Sequence, residues 1–238
     1  MNLLLFSQAD CIARDILAIN DRRSEHLRCV HRAQPGDTLR VGEIGGLMGS
    51  AEILSLDDRG AQLRFVLDTA PPPGLPITLI VALPRPKMLR RIVRSAAEFG
   101  VQALHLVNSF RVEKSYWQTP VLTEASLQHY LLQGLEQACD TRLPTVHLHR
   151  RFKPWVEDVL PALCTNRQAL LAHPAASRAC PAEIKEETLV VVGPEGGFIP
   201  FEVAKLTEAG CNMVSLGPRV LRVENAVLGL LARGRTSA

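Results

Sequence analysis

Three consecutive prolines and a glycine, Pro71–Gly74, sit in the segment TAPPPGLP at residues 69–76. Proline has no backbone N–H, and its ring clashes with a preceding helical turn. Neither a helix nor a central strand continues through such a run. The chain therefore reads as two domains, residues 1–70 and residues 71–238, and the apolar periodicity differs on the two sides.

Before the break the pattern has a period of two. DTLRVGEI, GSAEILSL and RGAQLRFVLD alternate apolar and polar residues, Gly45 and Gly46 fall in a turn, and PGD at 35–37 marks another. LLLF near the start reads as a buried strand and RDILAI as a helix candidate. The first part is expected to be a small β-barrel with a helix or two. After the break, buried strands (ITLIVAL, VQALHLVNS, TVHLHR, QALLAH, TLVVVG, NMVSLG) alternate with amphipathic helices (KMLRRIVRSAAEFG, TEASLQHYLLQGLEQACD, FEVAKLTEAG, VENAVLGLLARG). That alternation predicts an α/β fold with a parallel sheet covered by helices.

Bulk properties narrow the class. A chain of 238 residues can bury a core without disulfides or metals. The six cysteines are scattered with no CxxC pair, so neither a zinc site nor a disulfide framework is expected. No apolar run approaches the roughly 20 residues that span a bilayer, and no secretory signal stands out, so a cytoplasmic protein without a membrane partner is expected. The net charge is only +3, but residues 1–70 carry 8 Arg against 10 Asp and Glu, while the rest carries 19 basic against 14 acidic residues. An anionic partner is expected to lean on the second part, or on local patches of the first.

Chemistry concentrates where strands end. In VVVGPEGGFIPFE, residues 190–202, a buried strand runs into Gly193-Pro194-Glu195-Gly196-Gly197. Such glycines let backbone approach a ligand closely, and ligands of open α/β sheets sit at the carboxyl ends of strands. Neither a GxGxxG nor a GxxxxGK[ST] pattern is present, which removes the usual dinucleotide and P-loop readings. SLGPRVLRVENA, residues 215–226, repeats the arrangement with Arg219, Arg222, Glu224 and Asn225 crowded after Gly217-Pro218. Glu224 and Asn225 also suit a helix start. QALLAHP, residues 168–174, ends a third strand at His173. Three such loops in one half-chain point to a composite pocket.

GPEGG followed by SLGPRVLR-x-E-x-A resembles the C-terminal signature of the SPOUT-class uridine-N3 methyltransferases that modify 16S ribosomal RNA. The resemblance covers nearly the whole chain. HLRCVHRAQPGDTLRV is similar to the family's N-terminal PUA-like RNA-binding barrel, AAEFGV to one helix end, and LEQACDTRLP to another. The resemblance implies a SPOUT-type C-terminal domain whose end is tucked into a trefoil knot, a homodimer, and S-adenosylmethionine (SAM) as cofactor. It assigns SAM contacts to Leu171, Ala172 and His173, to Val192, Gly193, Pro194, Glu195, Gly196 and Gly197, and to Ser215, Leu216, Gly217, Leu221, Arg222 and Asn225. The sequence departs from the family pattern at Val223 and Asn225, where the family has two threonines, and at Asp140, where it has an arginine. Other SPOUT-class activities, on tRNA or a ribose oxygen, and a non-catalytic rRNA-binding assembly role are the alternatives.

Uracil N3 normally carries a proton and is a poor nucleophile. The expected catalytic residues are Arg222, to stabilise negative charge on the uracil oxygens, and Glu224, to orient Arg222 or help with the proton. Two basic clusters are expected to face RNA. Lys87, Arg90, Arg91 and Arg94 fall on one helix face, and Arg22, Arg23, Arg28 and Arg32 gather in DRRSEHLRCVHR, with RRFK at 150–153 extending the surface. Among the few aromatic residues, Tyr116, Trp117 and Phe198 are the stacking candidates, Phe198 first.

Overall fold

The computed structural model describes residues 2–235. The chain divides into two compact units, residues 1–73 with 132–143 and residues 74–131 with 144–238. The expected break at 69–76 marks the first crossing. The second crossing, at residues 131–132, carries no proline signal because it falls inside a helix, and the third falls at Pro144.

The first unit holds β1 (Leu4–Phe6), β2 (Cys11–Ala13), β3 (Ile16–Ile19), α1 (Arg22–His26) continued by a π-helical turn Leu27–His31, β4 (Thr38–Glu43), β5 (Met48–Asp57) and β6 (Gly60–Thr69). They form one sheet in the order β1-β4-β5-β6-β3-β2, with β1 parallel to β4 and the other pairs antiparallel. The period-two pattern sends Ala51, Ile53, Ala61 and Leu63 inward against Leu4, Phe6 and Leu17. RDILAI is not a helix. Residues 16–19 pair with β6, and Leu17 and Ile19 point into the core on alternate positions. The pairing of β5 with β6 slips at Met48/Gly49, where a Cβ on Gly49 would lie 1.9 Å from the Val66 carbonyl oxygen, so only glycine fits.

Arg23 corrects an expectation. Its guanidinium is turned inward, side chain 13% exposed, and donates to Asp10 at 2.7 Å, to Asp21 at 2.7 Å and to the Leu5 carbonyl at 2.9 Å. Arg22 bonds Glu136 through both Nη atoms, at 2.6 and 3.2 Å. Arg28 and Arg32 remain exposed. The Arg23 cluster is an anchor of α1 rather than a phosphate contact.

The second unit holds β7 (Ile77–Ala82), α2 (Pro86–Glu98), β8 (Ala103–Val107), α3 (Glu124–Ala138), β9 (Thr145–His149), α4 (Phe152–Pro154), a π-helical turn Trp155–Val159, α5 (Leu160–Cys164), β10 (Gln168–Ala172), β11 (Thr188–Val192), α6 (Pro200–Glu208), β12 (Asn212–Val214) and α7 (Val223–Leu231). α3 gives its last residues, from Leu132, to the first unit. Every pair in the sheet is parallel, in the order β12-β10-β11-β7-β8-β9. β7 and β11 are buried at every position, as continuous apolar runs in a parallel sheet require. The chain leaves β7 for β8 and β9 on one side, then returns to place β11 and β10 on the other. All strand ends that carry the motifs therefore share one edge.

His105 and His147 stand in register on β8 and β9, rings 4.5 Å apart, and His105 Nδ1 lies 3.0 Å from His149 Nε2. Burial, with His147 and His149 adding to it, pushes His105 down to about 3, so it is neutral at physiological pH. No helix among the described residues is long and apolar enough to cross a membrane.

Replacing Arg23 with alanine is expected to destabilise the first unit by about 2 kcal/mol at neutral pH, since it leaves Asp10 without its charged donor. Burial alone would raise the Asp10 pKa; the hydrogen bond and charge of Arg23, with Ser7, outweigh it and hold it below 3.8. A depressed carboxylate contributes stability above its ordinary pKa and gives it up as pH falls through the lowered one. The gap between the two proteins in urea melts should thus narrow as pH drops from about 4 toward 2. A gap that stays constant over that window would rule out the ion pair as its source.

Candidate functional site

A cavity of about 930 Å³ opens at the carboxyl edge of the parallel sheet, in the size range of small-molecule sites. The β11–α6 loop supplies Val192, Gly193, Pro194, Glu195, Gly196 and Gly197. The β12–α7 loop supplies Leu216, Gly217, Leu221 and Arg222, followed by Glu224 on α7. The end of β10 supplies Ala172 and His173. The three motifs that the sequence separates by up to 50 residues thus line one space.

Three of the expected residues do not line it. Leu171 is fully buried within β10, its side chain committed to the core. Ser215 is held behind the loop. Its N–H donates to the Arg178 carbonyl at 2.7 Å, its carbonyl accepts from Cys180 at 2.9 Å, and its hydroxyl accepts the Gly217 N–H at 3.1 Å. Asn225 lies exposed on α7, away from the cavity, while Val223 and Ala226 on the same helix line it.

Other lining residues carried little signal in the sequence. Arg85 and Met88 come from the β7–α2 junction, and Lys87, placed on the basic helix face above, also lines the cavity. Arg111 is an isolated arginine in the loop after β8, with no motif around it. Of the basic face itself, Lys87, Arg90 and Arg91 are exposed, whereas Arg94 folds back, its Nε donating to the Arg90 carbonyl at 3.2 Å and its guanidinium 5.7 Å from the Tyr130 ring centroid.

The β11–α6 loop is fastened at several points. Glu195 accepts the Arg85 N–H at 3.3 Å, and Arg111 donates to the Gly196 carbonyl. Gly197 closes the turn on the Pro194 carbonyl at 2.8 Å with φ +74°, where an L side chain is strained. A Cβ on Gly193 would press on the Phe198 ring at 3.1 Å. Phe198 itself is buried, its ring 6.3 Å from Phe152, and it lines the cavity beside Gly193. Tyr116 is half-buried and Trp117 is buried, its indole N–H donating to Asn108 at 2.9 Å.

Behind the loop lies Glu202, 2% exposed on the first turn of α6. One carboxylate oxygen accepts the Ile199 N–H at 3.1 Å and the other accepts the Phe110 N–H at 2.7 Å. The negative charge sits at the positive end of the helix, where it is favoured.

Arg222 is the N-cap residue of α7 but makes no side-chain cap bond, and Glu224 follows in the first turn. The two form no ion pair with each other among the described residues. Among the described residues, then, a guanidinium without a carboxylate partner and a carboxylate without a cation border the same cavity.

Residues 71–234 match the family model of an RNA methyltransferase domain. The Ribosomal RNA small subunit methyltransferase E of Treponema pallidum is 27% identical over 98% of this chain and 90% of its own length. The protein of the same name from Synechocystis is 29% identical over 87% and 69%. Among solved structures, the Ribosomal RNA small subunit methyltransferase E of Neisseria gonorrhoeae, bound to SAM, is similar with a TM-score of 0.75 and 22% identity, over 97% of this chain and 95% of that one. A methyltransferase from Legionella pneumophila in complex with SAM gives a TM-score of 0.76 and 20% identity, over 98% and 96%.

Glu202→Ala leaves two backbone N–H groups without acceptors and is expected to cost about 2 kcal/mol in urea unfolding. Amide hydrogen exchange at Phe110 and Ile199 should speed up together in this variant, because one side chain protects both. Acceleration at Ile199 alone would mean that the carboxylate is only a local helix cap.

Proposed function

This chain belongs to the family of RNA methyltransferase domains, and from that premise we propose that it transfers a methyl group from SAM to N3 of a uridine in 16S RNA of the small ribosomal subunit. The observation that carries the reading is the single cavity formed by three strand-end loops with Arg222 at its margin. The relatives named Ribosomal RNA small subunit methyltransferase E, similar over most of the chain, support RNA of the small ribosomal subunit as the substrate class.

The residues present suit SAM. Gly197 and Gly217 leave open space where a side chain would stand, and Leu216, Leu221, Val192 and Ala226 give apolar walls for an adenosine. Ala172, His173 and the loop from Gly193 to Gly197 would hold it together with Leu216 and Gly217. When bound, SAM supplies an electrophilic methyl group on its sulfonium. The protein's part is to orient the base and exclude water. Arg222 donates to the uracil oxygens and stabilises the charge that develops as N3 loses its proton. Glu224, without a cation partner among the described residues, accepts that proton. The positive end of α7 favours the same anion.

Three finer features belong to this reading. The first unit serves as a PUA-like RNA-binding barrel, supported by its strongly bulged six-stranded sheet and the exposed Arg28 and Arg32. The C-terminal segment is threaded into a trefoil knot, supported by its bonds along residues 178–184. Ser215 pairs with Arg178 and Cys180, and Ile184 donates to the Arg233 carbonyl at 2.7 Å. The enzyme is a cytoplasmic homodimer, its pairing supported by exposed apolar residues, Val220 at 81% and Leu221 at 41% on the cavity lining and Leu228 at 37% on α7.

Arg222→Ala should lower methyl incorporation into small subunits from a strain lacking this gene by about 100-fold or more, while SAM affinity by calorimetry stays within several-fold. Turnover near the wild-type rate would remove Arg222 from the chemistry. Mass spectrometry of 16S RNA from that strain should show one uridine without its N3 methyl group; an unchanged RNA would overturn the proposed function.

A further inference from the structure

A second cleft, of about 610 Å³, lies in the same unit beyond the β8 and β9 strand ends. It shares a wall with the first. Arg111 faces the first cavity while its neighbours Phe110 and Val112 line the second, and Phe198 faces the first while Ile199 lines the second. Glu202 fastens these two wall segments by accepting the Phe110 and Ile199 N–H groups.

The surface of this cleft is unusual. Phe110 is 77% exposed and Phe201 is 51% exposed, in a chain with only 5% aromatic residues. Solvated phenyl rings at a cavity mouth gain nothing for folding and are costly to leave in water. Lys114, Arg150 and Lys153 line the same space. Arg150 is held in place, its guanidinium 5.1 Å from the Trp117 ring centroid and donating to the Trp117 carbonyl at 3.2 Å. The acid among the lining residues is Glu202, and both its oxygens are already engaged by backbone N–H groups, so the cleft presents net positive charge. Ser109, 3% exposed, also lines it, and its hydroxyl has no hydrogen-bond partner among the described residues. A buried hydroxyl without a partner is destabilising until a polar ligand atom satisfies it.

Exposed aromatic faces combined with spaced cations are the chemistry that holds single-stranded nucleic acid. We infer that this cleft binds unpaired nucleotides of the RNA substrate that flank the methylated base, with bases stacked on Phe110 and Phe201 and the phosphates paired with Lys114, Arg150 and Lys153. The shared wall then couples the two sites. RNA lying in the second cleft is delivered along residues 110–112 to the cavity where methyl transfer occurs. This inference rests on the proposed RNA methyltransferase reading and adds the residues that position the strand.

The test compares Phe110→Ala, Phe201→Ala and Phe110→Tyr. Stacking on one aromatic side chain corresponds to about a tenfold change in affinity. Each alanine variant should raise the KM for unmodified small subunits, and the Kd for a short single-stranded oligouridylate read by fluorescence anisotropy, by about tenfold. The kcat at saturating subunits and the SAM affinity should stay unchanged, and Phe110→Tyr should keep wild-type values. Lys153→Ala should reduce the slope of log affinity against log salt by about 1. Unchanged KM and Kd in both alanine variants, with methylation intact, would overturn this inference and leave the proposed function standing. A fall in sedimentation mass in the alanine variants would also overturn it, since the rings would then belong to a contact between copies of the chain. If the wild-type protein methylates nothing, the function itself fails, and the oligouridylate measurement still decides whether the cleft binds RNA.

Discussion

Glu202 accepts one backbone N–H from the loop that precedes its own helix and one from the loop after β8, and it does so from a buried position. A buried carboxylate is tolerated only where hydrogen bonds and favourable potential offset its desolvation. Here two charge-assisted bonds and the start of α6 supply both. The consequence reaches beyond one helix. The loop from Gly193 to Phe198 keeps its shape because its far end is fixed at Ile199, and the loop from Asn108 to Val112 keeps its shape because Phe110 is fixed to the same side chain. Both cavities are built on these two loops.

The parallel sheet provides the frame for that arrangement. Parallel strands all end on one edge, so segments distant in sequence are delivered side by side without any contact between their side chains. β10, β11 and β12 are neighbours in the sheet, and the loops that follow them accordingly face one another. Residues fixed by backbone position, such as Gly193 and Gly217, therefore reach the cavity by topology alone. Residues fixed by side-chain direction depend on helix phase, and for this reason Val223 and Ala226 reach it while Asn225 does not.

The same distinction explains what the sequence discloses. Periods of two and of 3.6 residues, with continuous apolar runs for β7 and β11, identify the longer strands and helices, while β2 and the short α1, α4 and α5 escape them, and the proline run locates the first change of unit. RDILAI misleads because four apolar residues in a row carry no period, and the pairing with β6 decides the conformation. Residues 132–143 join the first unit through long-range bonds, as when the Gly45 N–H donates to the Thr141 carbonyl at 2.7 Å, and no local pattern encodes a partner so far away. Arg23 looks like its neighbours in a basic cluster. Only the fold brings Asp10 to it and turns it into an internal tie. Phe110 and Phe201 each look like an ordinary core residue in sequence, and their exposure is visible only in three dimensions.

The three departures from the family pattern separate on the same physical grounds. Asp140 is 4% exposed, and one oxygen accepts the N–H groups of Thr141 at 2.7 Å and Arg142 at 3.0 Å. It shapes the turn after α3, whose next residue, Thr141, donates its hydroxyl to the Gly46 carbonyl at 2.6 Å. A carboxylate is the suitable group there, because an arginine in that place has no acceptor to offer those donors. Asn225 is solvent-facing, so the hydroxyl absent from that position is absent from the surface of a helix and not from the cavity. Val223 differs from both. It is 5% exposed, lines the cavity between Arg222 and Glu224, and replaces a hydroxyl with a methyl group beside the two charged residues. An apolar group in that place lowers the local dielectric, which under the proposed function would strengthen the pull of Arg222 on a developing anion and raises the cost of any charge left without a partner. Of the three positions, Val223 is therefore the one that lines the cavity, and under the proposed function it would act through the medium around Arg222 instead of through a contact of its own.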